Sequence, residues 1–348
     1  MAMRIRHAEL LLRRVALTAA LAAAASLPAS AQPLPPARPA DTLPPEPAPP
    51  EPAPPEPAPP QQHVLSPVRD AVPDIAFGAY QRGYYQTAFR EAMKRIEADP
   101  WDGPAMTLVA ELYAQGLGVR RDAAEAARWY KLAAERGDRQ ATFALAVALL
   151  KGDGVPQDKA GAAVLLEKAA ALEHPGALYN LGVLALEGNG VASDYARAAT
   201  LLRRGAELGD ADAAYALGIL YRNGNGVEKS DEEAAAWIAL AAAEKNIAAE
   251  VEFAILRFNG IGVDKDETKA AKLFLKAAAK ANPVAQNRIA RLLASGRGIP
   301  KNPVEAMKWH ILARSAGVSD TWLDGELAKL SPEERAAVDS AVRKYIGR

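Results

Sequence analysis

The chain has 348 residues, no cysteine and a formal net charge of zero at pH 7. Lack of cysteine removes disulfides, thiolate nucleophiles, Cys-ligated zinc and lipobox lipidation. Lack of a basic excess removes the electrostatic footprint that a nucleic-acid partner requires.

The chain opens on a secretory-signal pattern over residues 1–31. Arg4, Arg6, Arg13 and Arg14 give a positive start, and Val15 to Leu27 follow as an apolar run too short for a comfortable membrane span. Ala29, Ser30 and Ala31 supply the small-residue cleavage motif, which predicts a mature protein starting at Gln32 and located in the periplasm or secreted. Retention as an uncleaved anchor is the alternative. Cleavage would leave no stable membrane span.

Residues 32–69 form a proline-rich linker. Positions 32–62 hold 15 of the 26 prolines, with a Pro-Pro-Glu-Pro-Ala cycle from Pro44 to Pro60. Proline fixes φ and lacks an amide donor, so neither helix nor sheet is expected there. Polyproline II at about 3.1 Å per residue would span roughly 90 Å. Either an inert spacer or a docking strand for an aromatic groove fits this composition.

Residues 70–102 place Ala76, Gly83, Ala88 and Pro100 at spacings suited to one capping helix pair. A strict repeat then begins. Gly116-x-Gly118, Gly152-x-Gly154, Gly188-x-Gly190, Gly224-x-Gly226, Gly260-x-Gly262 and Gly296-x-Gly298 recur every 36 residues, each followed by valine or isoleucine. Six copies in phase, with a period between 20 and 50, mean a stacked array. Before each pair comes a helix A of about a dozen residues. It carries alanine at Ala105, Ala141, Ala177, Ala213, Ala249 and Ala285, then a large apolar residue and a small one. After each pair, Asp122, Asp158, Asp194, Ser230, Asp266 or Asn302 begins helix B as its N-cap. Glu125, Glu233 and Glu305 stand at capping-box spacing. The glycines follow helices rather than strands, so they are expected to be C-caps and left-handed loop positions, with no phosphate cradle. Beyond residue 318, Ser331-Pro332-Glu333-Glu334 predicts a last helix reaching about Tyr345, within a C-terminal capping segment over 319–348.

Ala216-Leu217-Gly218 with Tyr221, the Gly-x-Gly-Val loop, and Ala126-Ala127-Arg128-Trp129-Tyr130 followed by Ala133-Ala134 carry a family resemblance. The units over residues 103–318 resemble the Sel-1-like repeat, a longer-loop relative of the tetratricopeptide repeat. The resemblance implies an all-α, right-handed α/α superhelical solenoid with helices A lining the concave face.

On that face one helix position reads Thr107, Phe143, Tyr179, Tyr215, Val251, Asn287, and the next turn ends at Ile255 and Arg291. These residues suit either an aromatic and aliphatic groove for a peptide or partner helix, or interhelix packing. A neighbouring position changes from Ala216 to Glu252 and then Arg288. An ion pair between Glu252 and Arg288 is one reading, since a half-buried charge requires a partner; a polar hot spot for a ligand is the other. The candidate binding residues are therefore Phe143, Tyr179, Tyr215, Glu252, Asn287, Arg288 and Arg291.

The four histidines form no metal-ligating pair, and His174 and His310 occupy repeat positions elsewhere filled by loop and packing residues. No nucleophile, base or metal set converges, so no enzyme, cofactor or metal is expected. The reading is an interaction scaffold or adaptor, for which the resemblance implies a regulatory role, since it extends to exported regulators of sensor kinases. It would bind a protein or peptide partner in the cell envelope, with no nucleic acid. The alternative is a cell-envelope enzyme or peptidoglycan-binding protein, which the resemblance offers through cysteine-rich relatives whose paired cysteines are missing here.

Overall fold

The computed structural model describes residues 74–188 and 194–347. The signal pattern and the whole of the proline-rich linker lie outside the described residues. Those described form sixteen α-helices and no strand. A first pair, α1 (Ile75–Gln81) and α2 (Tyr85–Ala98), precedes six A/B hairpins. Helices A are α3 (Gly103–Gln115), α5 (Arg139–Lys151), α7 (Pro175–Glu187), α9 (Ala211–Asn223), α11 (Ile247–Asn259) and α13 (Pro283–Ser295). Helices B are α4 (Ala123–Glu135), α6 (Lys159–Ala171), α8 (Tyr195–Glu207), α10 (Asp231–Ala243), α12 (Glu267–Ala279) and α14 (Pro303–Ser315). The short α15 (Thr321–Ala328) and α16 (Pro332–Ile346) follow. Each helix packs chiefly on its neighbours in sequence, which makes a quasi-one-dimensional solenoid, here a right-handed α/α superhelix.

Every repeat helix has 13 residues because both of its ends are specified. Helices B start at the expected caps, each side chain accepting an amide two or three residues on. Helices A carry a second column of caps, Asp102, Asp138, His174, Asp210, Asn246 and Asn282, each accepting the N–H of the periodic alanine three residues later. That alanine is therefore fixed both by its position in the first turn and by its burial. The expected capping boxes at helices B do not form. Glu125 instead pairs with Arg128, Glu233 accepts the indole N–H of Trp237, and Glu305 pairs with Lys308. A cation or indole one turn ahead competes for the carboxylate. The one capping box among the described residues joins Ser331 and Glu334 at α16.

In the five loops whose two glycines are both described, the two do different jobs; Gly190 lies outside the described residues. Gly152 is the left-handed C-cap of α5, at φ 70°. Gly154 has φ 77°, and a β-carbon there would overlap the Ala123 carbonyl at the start of α4. The loop of one repeat thus lies on the first turn of helix B in the repeat before. Periodicity shows that a glycine is needed; only the packing shows this second reason.

Alanines of both helices build the core, along with the residue four places after the helix-B alanine: Tyr130, Leu166, Leu202, Ile238, Phe274 and His310, all buried. Where helix A carries glycine, the approach is closest. A β-carbon at Gly218 would stand 2.6 Å from Ile238 Cγ1.

Candidate functional site

Helices A of neighbouring repeats meet in α3 with α5 and in α7 with α9, and no two successive helices B meet as extensively. Helices A therefore form the inner side of the curve. Their residues place the expected groove as follows.

The aromatic strip is largely wall rather than open groove. Phe143 is 7% exposed and Tyr215 8%, while Tyr179 is half-buried. Phe143 stacks on the imidazole of His174 in the next repeat, with centroids 4.2 Å apart. Burial pushes the Tyr215 hydroxyl up to about 12, with the Glu252 carboxylate adding to the rise. Burial, reinforced by Glu111, likewise raises that of Tyr130.

Glu252 does not pair with Arg288. Its partner is Arg222 on α9, and both side chains are less than a quarter exposed. The physical reason is register. The pair spans 30 residues rather than 36, so a residue late in one helix A faces one early in the next. The residue 30 before Arg288 is Phe258, which offers no carboxylate. Arg288 is exposed and makes no hydrogen bond or ion pair among the described residues.

Asn287 and Arg291 are brought together, on Asp320. Asn287 Nδ2 donates to Oδ2 at 2.8 Å, and Arg291 donates through Nε at 2.5 Å and Nη2 at 2.8 Å. Asp320 is also the N-cap of α15. Burial alone would raise its pKa, but Arg291, Asn287 and the Leu323 amide outweigh it and hold the carboxyl at about 2. Trp322 lies over the Arg291 guanidinium at 5.5 Å. These two predicted residues thus clasp the C-terminal segment onto the array. Their partner Asp320 escaped sequence reasoning, although an acid directly before Thr321 carries an N-cap signal. The buried Glu250 is a similar case: burial alone would raise its pKa, but Lys280, the C-cap of α12, and Lys276 of that helix outweigh it and hold the carboxyl below its ordinary value.

His310 is fully buried in the packing row, with Nε2 2.8 Å from Asp324 Oδ1. No group of three or more His, Cys, Asp or Glu able to hold a metal occurs among the described residues, nor does a helix long and apolar enough to cross a membrane.

On the inner strip, the half-exposed positions are Ala144, Asn180 and Ala216, flanked by Val147, Val183 and Ile255. At the same repeat position the partly exposed Glu252, paired with Arg222, comes next, followed by the exposed Arg288. Such a surface offers apolar area and one uncompensated cation, with no converging catalytic groups.

The architecture defines a tandem helical-hairpin solenoid. The family model for the Sel1 repeat matches residues 103–138, 139–174, 175–210, 211–246, 248–282 and 283–318, and the chain belongs to the Sel1 repeat family. A Sel1 repeat protein from Oxalobacter formigenes is 30% identical, with a TM-score of 0.64 over 69% of this chain and 98% of that one. The protein c5321, a protective antigen of uropathogenic Escherichia coli, is 26% identical with a TM-score of 0.63, over 74% of this chain. This chain spans 57% of the length of c5321. Among curated proteins nothing matches. Sel1 repeat proteins are generally protein-interaction scaffolds and typically not enzymes.

Proposed function

We propose that this protein is an exported interaction scaffold, acting in the bacterial periplasm, which holds a peptide or protein segment along the inner face of helices A. The observation that supports this reading most is the inner strip itself. Ala144, Asn180 and Ala216 keep the floor low between Val147, Val183 and Ile255, while the bulky Phe143 and Tyr215 are packed away. A recessed apolar floor favours an extended segment or helix face that buries alternate side chains. Arg288, exposed at one end, would take a carboxylate of that segment. Export rests on the arginine-led apolar start and the Ala29-Ser30-Ala31 motif.

The test is site-specific photocrosslinking in intact cells. Probes at Val183 and Ile255 should give one discrete adduct, weakened in Arg288→Glu, whereas probes at the outward-facing Lys131 and Glu135 of α4 should give none. Adducts from the outer positions alone would overturn the inner-face reading. Fractionation that left the chain in the cytoplasm would overturn the location separately.

A further inference from the structure

The second column of caps contains one odd member. Five of the six helices A are capped by Asp or Asn, while α7 is capped by His174. The imidazole is 7% exposed and stacked on Phe143. Its Nδ1 accepts the backbone N–H of Ala177 at 3.2 Å, an N–H shared with the His174 carbonyl at 3.0 Å, and its Nε2 lies 2.9 Å from Gln140 Oε1 on α5. An amide N–H can only donate, so Nδ1 carries no proton. Nε2 must then be the protonated nitrogen of a neutral ring, donating to Gln140.

This geometry holds for the neutral ring alone. An imidazolium would turn Nδ1–H against the Ala177 N–H and place a positive charge at the N-terminal end of α7, where the helix dipole opposes cations. An aspartate or asparagine cap keeps its acceptor oxygen throughout the range in which imidazole titrates.

Four charged groups on the surrounding elements have bonds of their own. Arg139, at the start of α5, donates to the Leu172 carbonyl at 3.2 Å. Glu173, two residues past the end of α6, pairs with Arg204 of α8. Asp138 and Asp210 cap α5 and α9 by accepting the amides of Ala141 and Ala213. Lys168 sits in the last turn of α6.

We infer that the junction between the second and third repeats is an acid-sensitive joint, in which protonation of His174 at Nδ1 removes the cap of α7, while Nε2–H, a donor in either state, keeps its bond to Gln140 of α5. The joint lies between Val147 and Val183, so it controls how two neighbouring segments of the inner strip are aligned.

The experiment compares the full chain with His174→Asn and His174→Asp, substitutions that copy the caps of sibling repeats and so preserve folding. Thermal midpoints are measured from pH 7.5 to 5, together with exchange protection of the Ala177 amide. The unsubstituted protein should lose several degrees more than either variant over this range, and its Ala177 protection should fall about tenfold at pH 5. In both variants that protection should stay level. Parallel midpoint curves in all three proteins, or unchanged Ala177 protection in the unsubstituted one, would overturn the joint. Acid effects from the many other carboxylates are common to the three and cancel.

Discussion

Arg291 and Asp320 form a two-point clasp, Nε to Oδ2 at 2.5 Å and Nη2 to Oδ1 at 2.8 Å, and through it the last helix A of the array holds the N-cap of α15. Helix α15 has eight residues and one buried apolar anchor, Leu323. The clasp therefore bears much of its docking, since so short a helix has little intrinsic stability.

The clasp predicts an acid transition confined to the C-terminal segment. The Asp320 carboxyl stands at about 2, against an ordinary 3.8. A depressed carboxyl contributes stability that is present in full above the unfolded value. That contribution is lost as pH falls from near 4 towards 2, because the undocked segment takes up its proton first. The loss amounts to about 2 kcal/mol. Hydrogen exchange on α15 should show earlier opening than α11 over this range. Asp320→Asn should open α15 already at pH 7 and flatten the dependence.

The turns that follow helices B carry a further prediction. Each has a left-handed residue, glycine at Gly137, Gly209 and Gly317, but Glu173, Lys245 and Ala281 in the other three. A β-carbon at the glycine positions would meet nothing within 4 Å, so space is not the constraint and backbone strain is. Left-handed geometry costs an L-residue about 1–2 kcal/mol. Ala281→Gly should therefore stabilise by about 1 kcal/mol, and Gly209→Ala should destabilise by a similar amount. Thermal midpoints of the full chain check both.

The loop glycines should behave very differently. A β-carbon at Gly262 would overlap the Asp231 carbonyl at the head of α10, in backbone that cannot turn aside. Gly262→Ala should cost several kcal/mol, beyond the ordinary range for a surface substitution. In a nearest-neighbour array this loss falls on the joint between the fourth and fifth repeats. Limited proteolysis should then cut near residue 262 before any other loop, while Gly209→Ala leaves the cutting pattern unchanged.

What the sequence made legible follows from how local each feature is. The glycines, the caps of helices B and the start of α16 at Ser331 depend on chemistry within a few residues, and a 36-residue period repeats that chemistry six times. The caps of helices A were equally local, and Asp102, Asp138, Asp210, Asn246 and Asn282 recur in phase. They lie where one unit gives way to the next, and His174 interrupts the column with an unfamiliar cap. Burial of Phe143 and Tyr215 was left open, because a periodic aromatic cannot by itself tell wall from groove. The partner of Glu252 was out of reach for a different reason. It depends on how far one helix A slides along the next, a quantity set by packing of whole repeats and visible only as the 30-residue offset to Arg222.

That offset yields the last prediction. Arg222 and Glu252 are both largely buried and paired, whereas Arg288 is exposed and has no ion-pair partner among the described residues. A double-mutant cycle of Arg222→Ala and Glu252→Ala should give a coupling of about 1 kcal/mol, the upper end for partly screened pairs. The same cycle on Glu252 and Arg288 should give no coupling beyond about 0.3 kcal/mol, and Arg288→Ala alone should shift stability by less than about 0.5 kcal/mol. Coupling between Glu252 and Arg288 equal to that of the true pair would mean the register runs at 36 residues. A stability-neutral Arg288→Ala leaves that guanidinium available for a partner, so crosslinking defects in Arg288→Glu could be assigned to the inner face and not to unfolding.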